Sequence, residues 1–361
     1  MIVKDEAHVI RRCLDSVRSL IDYWVIVDTG STDGTQQIVR QHLADVPGEL
    51  IERPWRGFGA SRTEAIELAR SKADFLLFVD ADDVIDISTG FQMPSLAADA
   101  YEITIVHGQL VHGRVCMVRN SLPWRYEGVL HECLDCGTPF TRAKLEGLTM
   151  RIVGGGGRSK KTEGEKFQRD AATLETALRD DPGNTRYAFY LAQSYRDAGQ
   201  LEKALLAYEH RAGMAGFDQE VFVSLLNAAR LAAGLNRPQS EVVDRFLRAY
   251  EFRPSRAEPL GGLLLYLRES GPRWRLAYLL GRQAIEIPLS GDTLFVEPAW
   301  YEWRCLDEFS IAAYWIGEYE QSRRDCERLL DMSTLPDGQR ARVVANLNFA
   351  RAKLGLTAVH I

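Results

Sequence analysis

The sequence predicts an α/β unit followed by an all-α helical repeat, and three observations carry that reading. The early part alternates short apolar runs with helical periodicity, the pattern of a mostly parallel sheet. The two clearest apolar runs each end in acid-rich turns, at 28–33 and 80–83. Beyond about residue 166 the pattern is helical nearly throughout, with glycines and prolines at a recurring interval. The expected divisions are therefore an α/β unit at 1–153, a glycine-rich hinge or lid at 154–165, and helices at 166–361.

The elements follow in order. Tyr23 to Asp28 is an apolar run closing on an acid, and Thr29 to Gly34 supplies turn residues. From Thr35 the period becomes helical, with Ile38, Val39, His42 and Leu43 on one side. Thr63 to Ala73 reads as a helix, Asp74 to Asp80 as a buried strand, and Ala81, Asp82 and Asp83 as its exit. Alternation at 101–106 and 109–118 predicts two further strands, and 126–134 another. Four glycines, Gly154 to Gly157, precede Arg158, Lys160 and Lys161, a composition suited to a plain linker, a hinge or a mobile lid.

In the helical part, Leu191, Ala192, Tyr195, Gly199, Ala204 and Tyr208 match the offsets of a tetratricopeptide repeat. There, small residues let paired helices approach closely. Pro254 and Pro288 lie 34 residues apart, and Pro182 lies 34 before Gly216. Tyr314 to Tyr319 reads as a degenerate fourth copy, so about four to five helix pairs are expected.

Composition excludes several classes. With 361 residues, 46% apolar and 26% charged, the chain has globular proportions and is neither disordered nor a disulfide scaffold. A net charge of -6 without a run of Lys or Arg argues against nucleic acid as a partner. No apolar stretch reaches the roughly 18–20 residues of a membrane span. Lys4, Asp5 and Glu6 interrupt the first apolar residues, so no secretory signal is read. Six cysteines without regular spacing indicate free thiols in a reducing compartment, and a cytoplasmic location is expected.

The chemistry centres on acids at strand ends. Asp80 and Asp82, two residues apart, point the same way off an apolar strand, and Asp83 adds a third carboxylate. Such a pair can hold Mn²⁺ or Mg²⁺ against a diphosphate. A second acid group, Asp28 and Asp33, occupies the matching edge of an earlier strand.

Ile2 to Glu6, Val25 to Thr35 and Phe78 to Asp82, in that order, resemble the family 2 glycosyltransferases of the GT-A fold. Phe189 to Gly199 is similar to the bacterial subgroup that adds tetratricopeptide repeats. The resemblance implies a Rossmann-like GT-A domain that binds a nucleotide-sugar donor and acts with inversion. It implies nucleotide contacts at Val3, Asp5, Glu6, Asp28, Arg62, Asp80 and Ala81. It places the metal on Asp80 and Asp82, the latter the more direct ligand, with His131 a metal or phosphate contact. Glu132 is the expected catalytic base, with Asp135 and Glu127 as substitutes. Two positions depart from the family pattern: Thr29 follows Asp28 where a second acid is usual, and Thr63 stands where many relatives have asparagine.

Competing readings exist. His131, Cys133 and Cys136 have the spacing of half a zinc site, which Cys116 or another histidine would complete. Asp80 and Asp82, ahead of Val84, also match the opening motif of haloacid-dehalogenase phosphatases. A solenoid adaptor carrying a retired transferase domain is the non-enzymatic alternative. The expected protein is a metal-dependent, inverting transferase using a UDP-linked sugar. Its acceptor is a peptide, a protein or a saccharide, and a homodimer through the helices is an expectation.

Overall fold

A computed structural model describes residues 1–108, 110–130, 132–155, 163–270 and 273–359. The chain divides into two compact units, Met1–Ala177 and Leu178–Ile361.

The first unit opens with β1 (Ile2–Val3), α1 (Ile10–Val17), β2 (Trp24–Asp28), α2 (Thr35–His42) and β3 (Gly48–Glu52). Then come α3 (Phe58–Ala69), β4 (Phe75–Leu77), β5 (Asp83–Ile87), β6 (Ala100–His107) and β7 (Leu110–Arg119). Two short strands, β8 (Arg125–Glu127) and β9 (Cys133–Asp135), precede β10 (Arg142–Ile152) and α4 (Glu163–Asp180). Strands β1, β2 and β3 form a parallel sheet in that order. A second, mixed sheet has the order β4-β7-β6-β10-β5, with β6 and β10 its parallel pair. The predicted crossover pattern therefore rules the first half, where helices separate the strands. Hairpin connections rule the second.

The apolar periodicity selects the core. On α1, Ile10 and Leu14 meet Val3, Ile26, Val39 and Leu43 over the parallel sheet. Cys13 and Val17, also on α1, belong to a second core with Ile103, Ile105, Met117 and Met150. One helix thus serves both sheets. Between them lies a cavity of about 630 Å³, whose lining includes Val17, Leu20, Phe75 and Leu77 as well as Arg62 and Asp80.

Several expected elements shift. The single strand anticipated at 126–134 is a hairpin-like pair, Arg125–Glu127 against Cys133–Asp135. Gly128, at φ +112, turns the chain directly after β8. The exit after Asp80 becomes β5, pairing with β10. Helix α3 starts at Phe58 rather than Thr63, because Gly57 at φ +96 ends the preceding extended segment.

The second unit comprises α5 (Thr185–Asp197), α6 (Leu201–Ala212), α7 (Asp218–Gly234), α8 (Gln239–Phe252) and α9 (Glu258–Glu269). It continues with α10 (Trp274–Ala284), α11 (Cys305–Ile316), α12 (Tyr319–Asp331) and α13 (Asp337–Lys353). Consecutive helices pack pairwise, and α9 also touches both α7 and α11. That is the stacking of a helical repeat, in which each unit covers its neighbour's apolar face. Among the described residues there are four helix pairs, from α5 to α12, and a closing α13. Gly199, Asn236 and Gly317 end three of the pairs' first helices in the left-handed region, at φ +74, +55 and +94. Ala192, Ala204 and Tyr208 are buried at the α5–α6 contact, as the motif requires.

A buried charge network braces the longest connection. Arg256 and Glu258 are both wholly buried, with guanidinium and carboxylate paired at 2.8 and 2.9 Å. Arg256 also donates to Asp292 and to the carbonyls of Leu294 and Phe295. The segment between α10 and α11 is thereby fixed to the start of α9. Among the described residues no helix is long and apolar enough to cross a membrane.

Close approach limits substitution in this unit. A Cβ on Gly261 would lie 2.3 Å from the Trp300 indole, which is itself buried. Gly261→Ala is expected to cost about 1–3 kcal/mol through overpacking. Urea denaturation of the variant checks it; an unchanged midpoint would show that the indole has room to move.

Candidate active site

The carboxyl ends of β1 and β2 are bound together by backbone donors and side-chain acceptors. Asp28, fully buried at the end of β2, accepts at Oδ1 from the N–H groups of Gly30 and Ser31, both at 2.9 Å, and from Gln36 Nε2 at 3.0 Å. Burial pushes the Asp28 carboxyl up. The hydrogen bonds from Ser31, Gln36 and Gly30 outweigh that and hold it below the usual carboxylate range. Its Oδ2 is buried and has no partner among the described residues. A buried acceptor left unmade is costly, so a ligand donor at that oxygen would be strongly favoured.

Asp33 performs the parallel task one turn later. It accepts from Thr35 N–H at 3.0 Å and from Ala7 N–H at 2.9 Å. Asp5, at φ +55, takes Ser31 Oγ on its own N–H and receives Thr32 N–H on its carboxylate at 2.8 Å. Glu6 N–H donates to Thr35 Oγ1 at 2.8 Å. Val3 contributes through its carbonyl, which accepts from Thr29 N–H and Oγ1. The turn that Thr29 to Asp33 promises is real, and its polar groups clasp the loop after β1.

The second centre is Arg62 on α3. Its Nη2 donates to both Asp80 oxygens, at 2.7 and 3.0 Å, and its Nη1 to Glu132 Oε1 at 3.2 Å. The guanidinium lies between the rings of Phe58 and Tyr126, 5.7 and 5.4 Å from their centroids. Burial lowers the guanidinium's pKa, but Asp80, Tyr126 and Glu132 outweigh it and raise the net value. Glu132 keeps only 8% of its side chain exposed, whereas Asp80 keeps 40%.

Local packing explains how Glu132 reaches the centre. A Cβ on Gly59 would lie 2.7 Å from the Gly128 carbonyl, so only glycine lets α3 meet the chain after β8 this closely. Thr63, one turn further on, accepts Tyr126 N–H at 2.9 Å. The threonine that departs from the family pattern thus ties β8 to α3.

The Asp80–Asp82 turn is held from α1. Arg12 Nη2 donates to the carbonyls of Asp82, at 3.1 Å, and Gly154, at 2.7 Å. Cys13 Sγ donates to the Asp80 carbonyl at 3.3 Å. No spacing in the sequence links residues 12 and 13 to this turn, or Tyr126 to Arg62, whereas Phe58 and Arg62 stand four apart on one face of α3. Asp80 and Asp82 offer hard carboxylate oxygens. Magnesium and manganese sites often use one or two such groups and complete the shell with substrate phosphates, so the donor set fits these ions.

Other anticipated residues lie elsewhere. Ala81 is buried in the core over the parallel sheet. Asp135 accepts Gly137 N–H at 3.0 Å, an ordinary turn contact, and Glu127 pairs with Arg125. His131, Arg158, Lys160 and Lys161 lie outside the described residues. Cys133 is exposed and Cys136 buried, both as free thiols. Among the described residues no group of three or more His, Cys, Asp or Glu side chains is arranged to hold a metal ion by itself.

Asp83 is the buried neighbour of this turn, with Arg114 Nη2 3.6 Å away. Burial, then the charge of Asp80, pushes its carboxyl up to about 6. An ordinary carboxyl ionises near 3.8, so the folded chain holds an extra proton between that value and about 6. Stability should then fall as pH rises through this window, by up to roughly 1.4 kcal/mol per pH unit. Chemical denaturation in EDTA at several pH values checks this. Asp83→Asn should lack the slope, and parallel curves for the two proteins would refute the assignment.

Comparison with known proteins bears on the family of the first unit. Residues 1–158 match the model of the family described as glycosyl transferase family 2. The chain is similar to a TPR repeat-containing protein of Synechococcus elongatus, 26% identical over 79% of this chain and 74% of that protein. It is 31% identical to the lipopolysaccharide core biosynthesis glycosyltransferase LpsC of Rhizobium meliloti, over 28% of this chain and 37% of that one. It is 24% identical to the SPbeta prophage-derived glycosyltransferase SunS of Bacillus subtilis, over 57% of this chain and 50% of that one. Among solved structures, a tetratricopeptide repeat protein from Parabacteroides merdae covers 53% of this chain, and the alignment covers 68% of that protein, at 17% identity and a TM-score of 0.39. The chain thus spans half or less of the length of the two relatives named as glycosyltransferases. Residues 1–158 thus match glycosyl transferase family 2, and a helical region of tetratricopeptide type follows in the same chain.

Proposed function

We propose that this chain transfers a sugar, with inversion, from a UDP-linked donor to a peptide or saccharide acceptor, with Mn²⁺ or Mg²⁺ at Asp80 and Asp82. The observation that carries the reading is Arg62, a partly buried cation facing Asp80 on one side and Glu132 on the other. A cation so placed beside the metal-binding turn suits a diphosphate leaving group. The ion, when bound, would neutralise phosphate charge as it develops. Arg62 exchanges carboxylate for phosphate contacts as the donor enters, and its guanidinium carries part of the leaving-group charge.

Asp28 receives a base or ribose donor on its unpartnered oxygen, while Asp5 and Glu6 shape the wall beside it. Glu132 is the base: oriented by its contact with Arg62, it takes the acceptor's proton as the acceptor oxygen attacks the anomeric carbon. Inversion follows from a single displacement. A saccharide acceptor is favoured by the similarity to LpsC, whose name places it in lipopolysaccharide core biosynthesis. A peptide acceptor is favoured by the helical repeats, whose stacked faces suit extended chains. A cytoplasmic location and a dimer through the helices complete the proposal.

Calorimetric titration with UDP, GDP and dTDP, each with and without Mn²⁺, tests the donor assignment. One nucleotide should bind tightly when metal is present, and Asp82→Ala should abolish that dependence. Absence of binding by every nucleotide would return the chain to the adaptor reading. Glu132→Gln should keep donor affinity while slowing transfer about 10²–10⁴-fold. Full activity in that variant would remove Glu132 as the base and move the role to Asp135 or elsewhere.

A further inference from the structure

The segment between β3 and α3 carries a feature that neither the motifs nor the mechanism above uses. Trp55 is 45% exposed, and it is the single exposed aromatic among the described residues of the first unit. Phe58 braces it edge-on, with ring centroids 4.7 Å apart and planes at 85°. Phe58 in turn lies under the Arg62 guanidinium. Just upstream, Arg53 N–H donates to the Asp28 carbonyl at 2.9 Å, which fixes the segment beside β2. An exposed indole costs solvation, so a rigidly braced one at a ligand-binding edge calls for an explanation.

The topology supplies it. The parallel sheet has the order β1-β2-β3, so the carboxyl edge runs from the loop after β1, past Asp28, to the Trp55 segment. Arg62 and Asp80 mark where phosphates belong, and Asp28 Oδ2 marks a waiting acceptor for a base or ribose donor. A nucleoside diphosphate with its phosphates at Arg62 and its polar base edge toward Asp28 directs its flat face to the β2–β3 end. An aromatic plane is the group that recognises such a face, and stacking tolerates any base because every base presents a π-surface.

We infer that Trp55 is the stacking platform for the donor's nucleobase, with Phe58 and Arg62 as a continuous support that carries the site from base to diphosphate. This rests on the nucleotide-sugar reading above, and it adds a residue that governs base affinity rather than chemistry. Arg56 and Pro54 flank the indole, and Gly57 after them releases the chain into α3. The platform is therefore set by the entry to the same helix that positions Arg62.

The test uses the whole chain with Mn²⁺ and three probes: UDP, uridine and pyrophosphate. Trp55→Ala should weaken UDP and uridine roughly 5- to 100-fold and leave pyrophosphate unchanged, the range expected for loss of one stacked base. Trp55→Phe should keep UDP affinity within about threefold, since a smaller aromatic still stacks. UDP should quench part of the wild-type tryptophan fluorescence, and that part should vanish in Trp55→Phe. GDP and dTDP in place of UDP give the same pattern if one of them is the better ligand. Unchanged affinity in Trp55→Ala overturns the platform while leaving the donor reading intact. An equal loss for pyrophosphate also overturns it, because the loop would then act through the phosphate site. If the wild type binds no nucleotide, both readings fall together.

Discussion

One guanidinium organises the first unit's functional edge. Arg62 faces two carboxylates that come from segments 52 residues apart, on different strand systems. Without a cation between them, Asp80 and Glu132 would be like charges converging on one partly dry place. With it, the arrangement is mutually required: burial of the guanidinium is offset by both acids, and each acid is fixed in direction. The devices around it read as consequences. Gly59 allows the close approach, Thr63 holds β8, and the rings of Phe58 and Tyr126 stand against the cation.

The neighbouring edge is organised by a different economy of contacts. There the carboxylates of Asp28 and Asp33 are consumed mainly by backbone N–H groups of their own turns and of the loop after β1. Such bonds stabilise the ionised form and shape the loops without spending a basic side chain. Asp28 nevertheless retains one unsatisfied oxygen, and Trp55 stands exposed beyond it. The two halves of the edge therefore differ in character: a charged end built round Arg62 and Asp80, and an aromatic, acceptor-bearing end built round Trp55 and Asp28. A molecule with a charged head and a flat polar ring matches both ends together.

In the helical unit the physical constraint is close approach of helices, met by small residues and by compensated charge. Gly261 and Gly281 leave room for Trp300 and Phe309, and small Ala192 and Ala204 allow close approach two helix pairs earlier. Arg256 and Glu258 are buried together and satisfy one another, which makes burial tolerable where either alone would not be. They anchor the long connection before α11 to its neighbours. The repeat pattern is thus kept across an insertion that would otherwise interrupt it.

Much of this was legible in the residues. Local chemistry reports local geometry: the apolar run ending at Asp28, the Thr29 to Gly34 turn, and the helical offsets from Leu191 to Tyr208 each depend on neighbours within one turn or strand. The ordered acid motifs likewise announce their family. What the sequence left open are matters of pairing at a distance. No periodicity reveals that 126–134 breaks into two strands, or that the Asp83 segment pairs with β10. Nor does spacing reveal that Arg12 and Cys13 hold the carbonyls of the Asp80–Asp82 turn. Only the tertiary structure decides these, because hydrogen bonds and ion pairs across sheets obey proximity in space, to which sequence distance is no guide. The sequence by itself determined which acids stand at strand ends; the fold decided that Glu132 meets Asp80 through Arg62 and that Asp135 does not.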